Sequence, residues 1–278
     1  MPDAAALKIS SRDFQHLSSL VRQRFGLVLE PSKEQMVTAR LGKRLRELNY
    51  SSFSDYYRHV TSDASGAALK DMVDALTTKF TSFFREPEHF DLLRRVATEP
   101  GHTGPMRVWS AACATGEEPY SIAITLLETL GHPPARDIEI LASDVSNRAL
   151  QRAAEGLYQA EQVATVSKPL VRKYFLKGEG KWSGWFRVKP EVRKLIEFRQ
   201  VNLMDALPSL PPFSVIFCRN VMIYFDREGQ ESVVNRLAPF IEPNGHLFIG
   251  HAEGLAGVRH PLRYIQPAVY KHIHGRGK

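Results

Sequence analysis

Cysteine is nearly absent from this 278-residue chain, which has only Cys113 and Cys218. Two cysteines cannot form a disulfide framework, and each lies in an apolar run where a reduced thiol packs well. No apolar run approaches the roughly 18 residues that a membrane span requires. Residues 1–10 contain no apolar segment of the kind found in signal peptides. We therefore expect a cytoplasmic protein that is neither secreted nor inserted into a membrane.

The sequence also lacks the residue spacings of a metal site. It has ten histidines, but they do not fall at the intervals of a zinc motif. His272 and His274 lie on a predicted strand near the end of the chain, and we interpret them as solvated side chains. No nucleophilic side chain stands beside a base in a recognisable catalytic pattern. The sequence therefore predicts no bound metal.

An excess of positive charge is present instead. The formal net charge is +7, which implies attraction to nucleic acid, to a lipid surface or to an acidic protein. Charge alone does not choose among these partners. The length and the 43% hydrophobic content allow one good core and a smaller second one.

The first 90 residues predict helices alone, and we expect them to form a small all-α N-terminal domain. Ser11 precedes the first helix and Gly26 ends it. Ser32 and Gln35 form a capping-box signature for a second helix that runs to about Leu48. The apolar residues that recur at helical spacing are Phe14, Leu17, Leu20, Val21 and Phe25, then Val37, Leu41, Leu45 and Leu48, then Leu69, Met72, Val73 and Leu76.

Basic side chains spread around the second helix, away from its apolar arc. This cationic face could dock an acidic partner, or it could simply be solvated. The residues are Lys33, Arg40, Lys43, Arg44 and Arg46.

Residues 91–278 alternate short apolar strands with amphipathic helices, which is typical of an α/β fold with a parallel, Rossmann-like sheet. A segment at about 176–190 interrupts this pattern with glycines and aromatic residues, and we interpret it as a small β insertion. The predicted strands are 107–112, 138–142, 196–201, 213–218 and 246–250. The predicted helices are 119–130, 147–154, one running through Tyr174, and 228–241.

The loop after the first of these strands is the place to look for a ligand, because open α/β sheets bind ligands beyond the carboxyl ends of their strands. Residues 110–120 read SAACATGEEPY. One glycine replaces the three of a dinucleotide loop, and Glu117 and Glu118 would repel a pyrophosphate. The loop suits a cofactor with a cationic end, such as an amino acid or a sulfonium.

Asp144 follows the next strand, where an acidic residue can accept both hydroxyls of a ribose. An adenosine that carries an amino acid is S-adenosylmethionine, so the pattern favours a methyltransferase. Two simpler interpretations stay open at this point. Glu117 and Glu118 could only complement a helix dipole, and Asp144 could be a turn residue.

Five collinear segments carry a more specific signal. They are residues 76–86 (LTTKFTSFFRE), 108–123 (VWSAACATGEEPYSIA), 142–144 (ASD), 202–203 (NL) and 217–226 (FCRNVMIYFD). Together they resemble the CheR family of glutamate O-methyltransferases, which modify methyl-accepting chemotaxis receptors in bacteria. The resemblance covers nearly the whole chain. It implies a class I methyltransferase sheet with a β insertion, behind a small all-α domain.

The resemblance also implies a set of site residues. Arg85 and Tyr224 are the candidates for the reacting centre, with Tyr224 near the transferring methyl group or else a core tyrosine. Lys79 replaces the family's asparagine, and its cation could reach the cofactor's carboxylate or turn to solvent. The cofactor-binding candidates are Lys79, Thr81, Arg85, Glu117, Glu118, Asp144, Asn202, Leu203, Asn220 and Val221.

Three aromatic residues flank Arg85 on its N-terminal side, namely Phe80, Phe83 and Phe84. They could simply pack. An arginine beside them needs an anionic partner or a stacking surface, and either the cofactor's carboxylate or the substrate glutamate would serve.

The expected reaction asks little of the protein. A glutamate side chain is already ionised at pH 7, so it can attack the sulfonium methyl group in line without a general base. Catalysis would come from alignment and from exclusion of water. The product would be S-adenosylhomocysteine, and we expect a monomer.

The expected partners are the methylation helices of bacterial chemoreceptors. An exposed edge at about residues 177–188 could add the C-terminal pentapeptide of a receptor as an extra strand. Alternatively, Trp182 and Trp185 only pack the insertion onto the sheet.

Two other functions remain to be weighed. A nucleic-acid methyltransferase would suit the basic charge, but Arg219 to Met222 lacks the acidic or polar residue and Pro-Pro-aromatic run of base amino-methyltransferases. Cys218 follows phenylalanine rather than the proline of cytosine C5 enzymes. We therefore expect no nucleic-acid partner. A non-catalytic protein that binds S-adenosylmethionine for signalling would use the same pocket.

Overall fold

The computed structural model describes residues 7–77, 79–100 and 104–273. Thr78, within the segment 76–86, and His274 lie outside the described residues. The chain forms two units. The first contains residues 1–78 together with 224–229, and the second contains residues 79–223 and 230–278.

Four helices form most of the first unit. Ser10 caps the first of them by accepting a hydrogen bond from Asp13 N, and Gly26 ends it with a left-handed backbone, φ 68°. The buried faces are those that the apolar spacing predicted, except that Leu20 is half-buried and Leu48 is exposed. The helices are α1 (Ser11–Phe25), α2 (Glu34–Glu47), α3 (Phe53–Ser62) and α4 (Ala67–Leu76).

The predicted capping box before α2 is wrong. Pro31–Lys33 form a 3-10 turn, and Lys33 takes the cap position without a side-chain hydrogen bond. Proline sets the φ angle that such a turn needs. Ser32 therefore lies inside the turn rather than at the N-cap.

A short segment from late in the sequence completes the first unit. Phe225 forms an antiparallel bridge with Leu27, and Val28 N donates a hydrogen bond of 2.8 Å to Tyr224 O. Asp226 accepts from Arg22, with Oδ2 and Nη2 2.6 Å apart. The unit is thus not a continuous stretch of chain.

The second unit contains a seven-stranded sheet in the order β6-β2-β1-β7-β8-β10-β9. The first five strands of this order are parallel, and β10 and β9 add antiparallel pairs at one edge. The sequence predicted the parallel part and not the antiparallel pair. The strands of both sheets are β1 (Met106–Ala111), β2 (Ile138–Asp144), β3 (Leu157–Gln159), β4 (Phe175–Lys177), β5 (Trp185–Val188), β6 (Ile196–Gln200), β7 (Phe213–Phe217), β8 (Ile241–Phe248), β9 (Leu262–Gln266) and β10 (Val269–His272).

The remaining helices follow α4 in the chain, and the last of them begins in the segment 224–229 of the first unit. They are α5 (Glu88–Ala97), α6 (Glu117–Leu130), α7 (Asn147–Glu155), α8 (Ala160–Val163), α9 (Lys168–Tyr174), α10 (Pro190–Arg193) and α11 (Arg227–Leu237). None of the helices in the described residues is long and apolar enough to cross a membrane.

The predicted insertion is a separate three-stranded antiparallel sheet in the order β3-β5-β4. It begins earlier than predicted, at Leu157, because β3 precedes α8 and α9 in the chain. The strand Trp185–Val188 lies at its centre. The prediction of an exposed edge along 177–188 is therefore wrong for β5, and the outer strands are β3 and β4.

A buried histidine on β8 makes the stability of the second unit depend on pH. Burial, with a smaller contribution from Lys271, lowers the pKa of His246 to about 4. As pH falls, the unfolded chain takes up this proton near pH 6.5, before the folded chain does. The stability that neutral His246 confers is thus present above pH 6.5 and is lost as pH falls to about 4.

We expect the free energy of unfolding of His246→Gln to fall less steeply than that of the parent between pH 6.5 and about 4. The two slopes should differ by up to about 1.4 kcal/mol per pH unit, which is the slope for the uptake of one proton on unfolding. Urea unfolding at a series of pH values measures it. The exposed His132→Gln serves as control, and equal slopes for the parent and His246→Gln would contradict the prediction.

Candidate cofactor-binding site

The loop between β1 and α6 has an unusual backbone. Ala112 (φ 97°), Ala114 (φ 47°) and Gly116 (φ 99°) all have positive φ. A Cβ on Gly116 would lie 2.8 Å from Ala153 Cβ and 2.9 Å from Tyr158 Oη, so only glycine fits there. Strained backbone of this kind is typical of ligand-binding loops.

Asp144 ties this loop to the neighbouring strand. It is the last residue of β2, which pairs in parallel with β1. Its Oδ2 accepts from Ala114 N at 2.9 Å, and its Oδ1 accepts from Ser146 N at 2.9 Å. Asp144 therefore fixes the loop at the carboxyl end of the strand, where an open α/β sheet binds its ligand.

Glu117 is 1% exposed at the first turn of α6. Its carboxylate accepts from Thr115 Oγ1 at 2.7 Å and from Gln162 Nε2 at 3.1 Å. Burial raises the pKa of Glu117, and these two hydrogen bonds offset part of the rise. An ammonium group of a ligand would complete the partners of this carboxylate.

Glu118 has a different environment. It accepts from Ser110 Oγ at 2.7 Å and from Arg219 Nη1 at 3.0 Å. Burial raises the pKa of Glu118, and the attraction of Arg219 offsets part of the effect. Both carboxylate oxygens of each glutamate therefore accept from protein groups, and only Glu118 has a cation among these partners.

Glu117 lines a cavity of about 450 Å³, which is within the size range of small-molecule sites. One carboxylate and three basic side chains surround this cavity, a combination that suits the zwitterionic end of an amino acid. Three predicted cofactor-binding residues meet there: Lys79, Thr81 and Glu117. The lining residues are Lys79, Phe80, Thr81, Thr115, Glu117, Arg148, Ala149, Arg152 and Gln162.

Arg219 was not predicted as a site residue, yet it joins three motifs. It is 5% exposed, and its guanidinium contacts Glu86 Oε2 at 2.9 Å, Glu118 Oε2 at 3.0 Å and the carbonyl of Arg85 at 2.5 Å. Burial acts to raise the pKa of Glu86, but Arg219 and further hydrogen bonds leave it below its usual value. No sequence spacing reveals this cluster, because its members lie far apart in the chain.

Glu253 is a second residue that the sequence did not reveal. Its carboxylate accepts from the backbone N–H groups of Asn220 at 2.8 Å, Ile223 at 3.2 Å and Gly250 at 2.5 Å. Asn220 has a left-handed backbone, φ 57°, and its Nδ2 donates to Glu86 Oε1 at 3.3 Å. Glu253 thus holds the turn after β7. The sequence signal that could have identified Glu253 is an acidic residue shortly after a buried strand.

The aromatic residues beside Arg85 separate into two groups. Phe83 is buried edge-on against Tyr158, and Phe84 packs edge-on against Phe90, so these two serve the core. Phe80 is 75% exposed. The Arg85 guanidinium lies 5.7 Å from the centre of the Phe80 ring.

The other predicted site residues lie elsewhere in the chain. Asn202 Oδ1 accepts from Met204 N at 3.1 Å, Leu203 is buried, and Val221 is half-buried in the turn after β7. None of these lines the 450 Å³ cavity as described. Tyr224 belongs to the first unit, so the roles of these residues stay predictions.

An open α/β sheet with an acidic residue that fixes the loop after its first strand defines a class, the Rossmann-like proteins that bind a nucleoside cofactor. Comparisons with known proteins make the assignment specific. The family model "CheR methyltransferase, SAM binding domain" matches residues 79–270, and "CheR methyltransferase, all-alpha domain" matches residues 12–77.

Curated relatives agree with the family models. The chain is 41% identical over 253 residues to the chemotaxis protein methyltransferase of Salmonella typhimurium, covering 91% of this chain and 87% of that protein. It is 40% identical to the chemotaxis protein methyltransferase of Escherichia coli K12, covering 95% and 92%. It is 42% identical to chemotaxis protein methyltransferase 2 of Pseudomonas aeruginosa, covering 93% and 92%.

The chain belongs to the CheR methyltransferase family. The predicted family and the predicted fold class are confirmed, as is S-adenosylmethionine as the cofactor. The protein is a methyltransferase whose second unit is the family's S-adenosylmethionine-binding domain.

Proposed function

We propose that the protein transfers a methyl group from S-adenosylmethionine to glutamate side chains of bacterial chemoreceptors, forming glutamyl methyl esters for chemotactic adaptation. The observation that carries this proposal is the Asp144-anchored loop within a CheR S-adenosylmethionine-binding domain. The names of the curated relatives point to the same process.

The chemistry follows from the groups present. S-adenosylmethionine supplies an electrophilic methyl group on a sulfonium. Asp144 would hold the ribose and Glu117 the ammonium group, while Lys79 and Thr81 suit the carboxylate. These contacts fix the cofactor, so that an ionised glutamate needs only alignment and exclusion of water to react. No proton has to be removed from the nucleophile.

The remaining assignments belong to the same proposal. Arg85 would bind a carboxylate, and Tyr224 would lie at the reacting centre. Glu118, held by Arg219, would shape the loop that contacts the cofactor. The residues proposed to contact the cofactor or substrate are Lys79, Thr81, Arg85, Glu117, Glu118, Asp144, Asn202, Leu203, Asn220, Val221 and Tyr224.

A volatile product tests the function directly. Receptor membranes are incubated with the protein and methyl-labelled S-adenosylmethionine, and then treated with mild alkali. A glutamyl ester releases methanol, whereas methylated lysine or nucleic acid does not. Label that stays bound after alkali would favour a different methyltransferase. No label in any acceptor would favour a non-catalytic signalling protein.

Both cysteines of the chain are free and buried, which fits a reducing compartment. The proposed site of action is therefore the cytoplasm. A monomer also stays a prediction, and size-exclusion chromatography with light scattering checks it.

The β insertion supports a second contact with receptors. A groove of about 460 Å³ lies along it, and Leu176 (50% exposed) and Trp182 (49% exposed) offer apolar surface there. Arg187 pairs across the strands with Leu157 and with Leu176, which places a cation on the same face. An apolar groove beside a cation suits a peptide that carries apolar side chains and a C-terminal carboxylate. We propose that a receptor's C-terminal pentapeptide binds here, along the outer strand β4.

We expect Trp182→Ala to weaken binding of a receptor C-terminal pentapeptide by about tenfold or more, because exposed aromatic anchors dominate such interfaces. Fluorescence titration measures this. Tyr264→Ala is a matched control, since Tyr264 is a similarly exposed aromatic residue on β9. The tail contact is wrong if no receptor pentapeptide binds the parent protein, or if both variants bind alike.

The cationic face of α2 divides into two parts. Arg40 Nη1 donates to the carbonyl of Leu76 at 2.5 Å, and Arg44 bonds to Asp71 and Glu47. These two arginines therefore hold the helices of the first unit together. Within the described part of the chain, no ion pair or hydrogen bond engages the side chains of Lys33, Lys43 and Arg46. We propose that these three exposed cations dock the glutamate-rich methylation region of the receptor.

Replacing Lys33, Lys43 and Arg46 together with glutamate should slow methylation of receptor membranes, mostly at low salt. Exposed charges act mainly on encounter and are screened over about 8 Å at physiological ionic strength. Initial rates at several salt concentrations measure the effect. Affinity for S-adenosylhomocysteine should stay at the parental value.

A control variant carries the same charge change elsewhere, at the exposed Lys168, Arg172 and Lys194. Docking through α2 predicts that this control keeps the parental rate. Equal slowing of both triple variants would assign the effect to net charge and would overturn the docking proposal.

A further inference from the structure

A cluster of side chains with potential metal-ligand atoms lies in the second unit outside the cavity described above. Glu86, His89 and His251 each offer one ligand atom, and these atoms all lie within 4.8 Å of one another. His89 is on α5, Glu86 precedes that helix, and His251 follows β8. The sequence predicted no metal, and the histidine spacing could not reveal this cluster because its members come from distant segments.

His89 is the least expected member. Its side chain is 1% exposed and stacks on Phe248, with ring centroids 5.1 Å apart. Neither ring nitrogen has a hydrogen-bond partner among the described residues. A buried imidazole without partners is costly. Its N–H lacks an acceptor, and the lone pair on its other nitrogen lacks a hydrogen-bond donor or a metal ion. His251 meets it edge-on, with ring centroids 5.0 Å apart.

The distance between Glu86 and His89 is close to that in a coordination sphere, and the distance between Glu86 and His251 is longer. Glu86 Oε2 lies 3.5 Å from His89 Nδ1 and 4.0 Å from His251 Nε2. Ligands about 2.0–2.1 Å from a tetrahedral ion are roughly 3.3 Å apart. His251 is 45% exposed on its side chain and is free to close the remaining gap. Glu88 Oε2, 3.9 Å from His251 Nε2, is a further carboxylate in reach.

The neighbours of Glu86 are compatible with coordination. Oε2, the oxygen nearest to both imidazoles, also accepts from Arg219 Nη2 at 2.9 Å and from His251 N at 3.3 Å, while Oε1 accepts from Asn220 Nδ2 at 3.3 Å. Carboxylates that bind metals commonly accept hydrogen bonds from a second layer of residues. Two imidazoles and one carboxylate are the donor set that zinc and other divalent first-row metals prefer.

We propose that Glu86, His89 and His251 form a binding site for a divalent transition-metal ion of the zinc class. Three protein ligands leave a fourth position for water or Glu88. A bound ion would fix the Glu86 carboxylate, which Arg219 and Asn220 also contact. The site is therefore linked to the residues around the cofactor loop.

The test uses the full-length protein freed of metal by chelation. Zinc ions are titrated calorimetrically, and cobalt ions are followed by visible absorption, which reports tetrahedral coordination. We expect one ion per chain, and binding weaker by more than about tenfold in His251→Ala. His251 is exposed, so this variant should fold. His89→Phe, which keeps a ring against Phe248, should show the same loss.

The exposed His16→Ala in the first unit is the matched control and should bind as the parent does. The proposal is overturned if the parent binds no stoichiometric ion, or if His251→Ala and His16→Ala bind it equally well. Either result would indicate that His89 is satisfied by water or that the ions occupy scattered surface histidines.

Discussion

Replacing Asp144 with alanine is expected to reduce affinity for S-adenosylhomocysteine by about 100-fold or more. Two hydrogen bonds from ribose hydroxyls to the carboxylate would be lost, each contributing about 1.5–3 kcal/mol, and each 1.4 kcal/mol is about tenfold in affinity. The loop would also lose its anchor at Ala114 N. Calorimetry with S-adenosylhomocysteine measures the effect, and circular dichroism checks that the variant is folded.

Asp144→Asn is the control that separates the two roles of this side chain. It keeps one carbonyl oxygen as acceptor and loses the charge, so its affinity should lie between those of Asp144→Ala and the parent. If folded Asp144→Ala binds S-adenosylhomocysteine as the parent does, the pocket lies elsewhere and the assignment of Asp144 is wrong.

Replacing Arg219 with methionine is expected to lower the free energy of unfolding by about 3–5 kcal/mol, because it leaves buried carboxylates without a cation. The affected groups are Glu86 and Glu118, whose side chains are 13% and 14% exposed. Urea unfolding measures the loss. Cofactor affinity should fall as well, because Glu118 belongs to the first turn after the cofactor loop.

The sign of the pH effect identifies the mechanism. In the parent, the pKa of Glu86 is below its usual value, so its stabilising contribution exists above the unfolded pKa and is lost as pH falls through the folded pKa. Without Arg219, burial alone would raise this pKa, and acid should then stabilise the variant relative to the parent. Arg219→Met/Glu86→Gln/Glu118→Gln should recover part of the lost stability. If Arg219→Met is as stable as the parent at pH 7, the cluster contributes little.

Local sequence signals predicted much of the fold, and their failures have physical causes. Helix α1 was found because its apolar period and Gly26 agree. The capping box failed because Pro31 starts a 3-10 turn around Ser32. Strand β3 has three residues, too few to display an alternating pattern. A strand through His272 was predicted, and β10 includes it, but the antiparallel pairing with β9 was missed because strand direction depends on long-range pairing, which no local pattern records.

The residues of the candidate site also separate into those that the sequence could reveal and those that it could not. Asp144 and the loop at Glu117 could be predicted because each follows a strand end, where a parallel sheet places its ligand. Arg219 and Glu253 could not, since their importance lies in partners that are distant in the sequence. The sequence correctly predicted that α2 has a charged face. Sequence could not show that Arg40 and Arg44 are engaged in holding the first unit.

The discontinuous first unit limits how such proteins can be recombined. Residues 1–78 grafted onto a relative would bring Arg22 and Leu27 without the Asp226 and Phe225 to which they bind. A functional chimaera must therefore exchange residues 224–229 together with the N-terminal helices. This exchanged segment directly follows the turn that Glu253 holds.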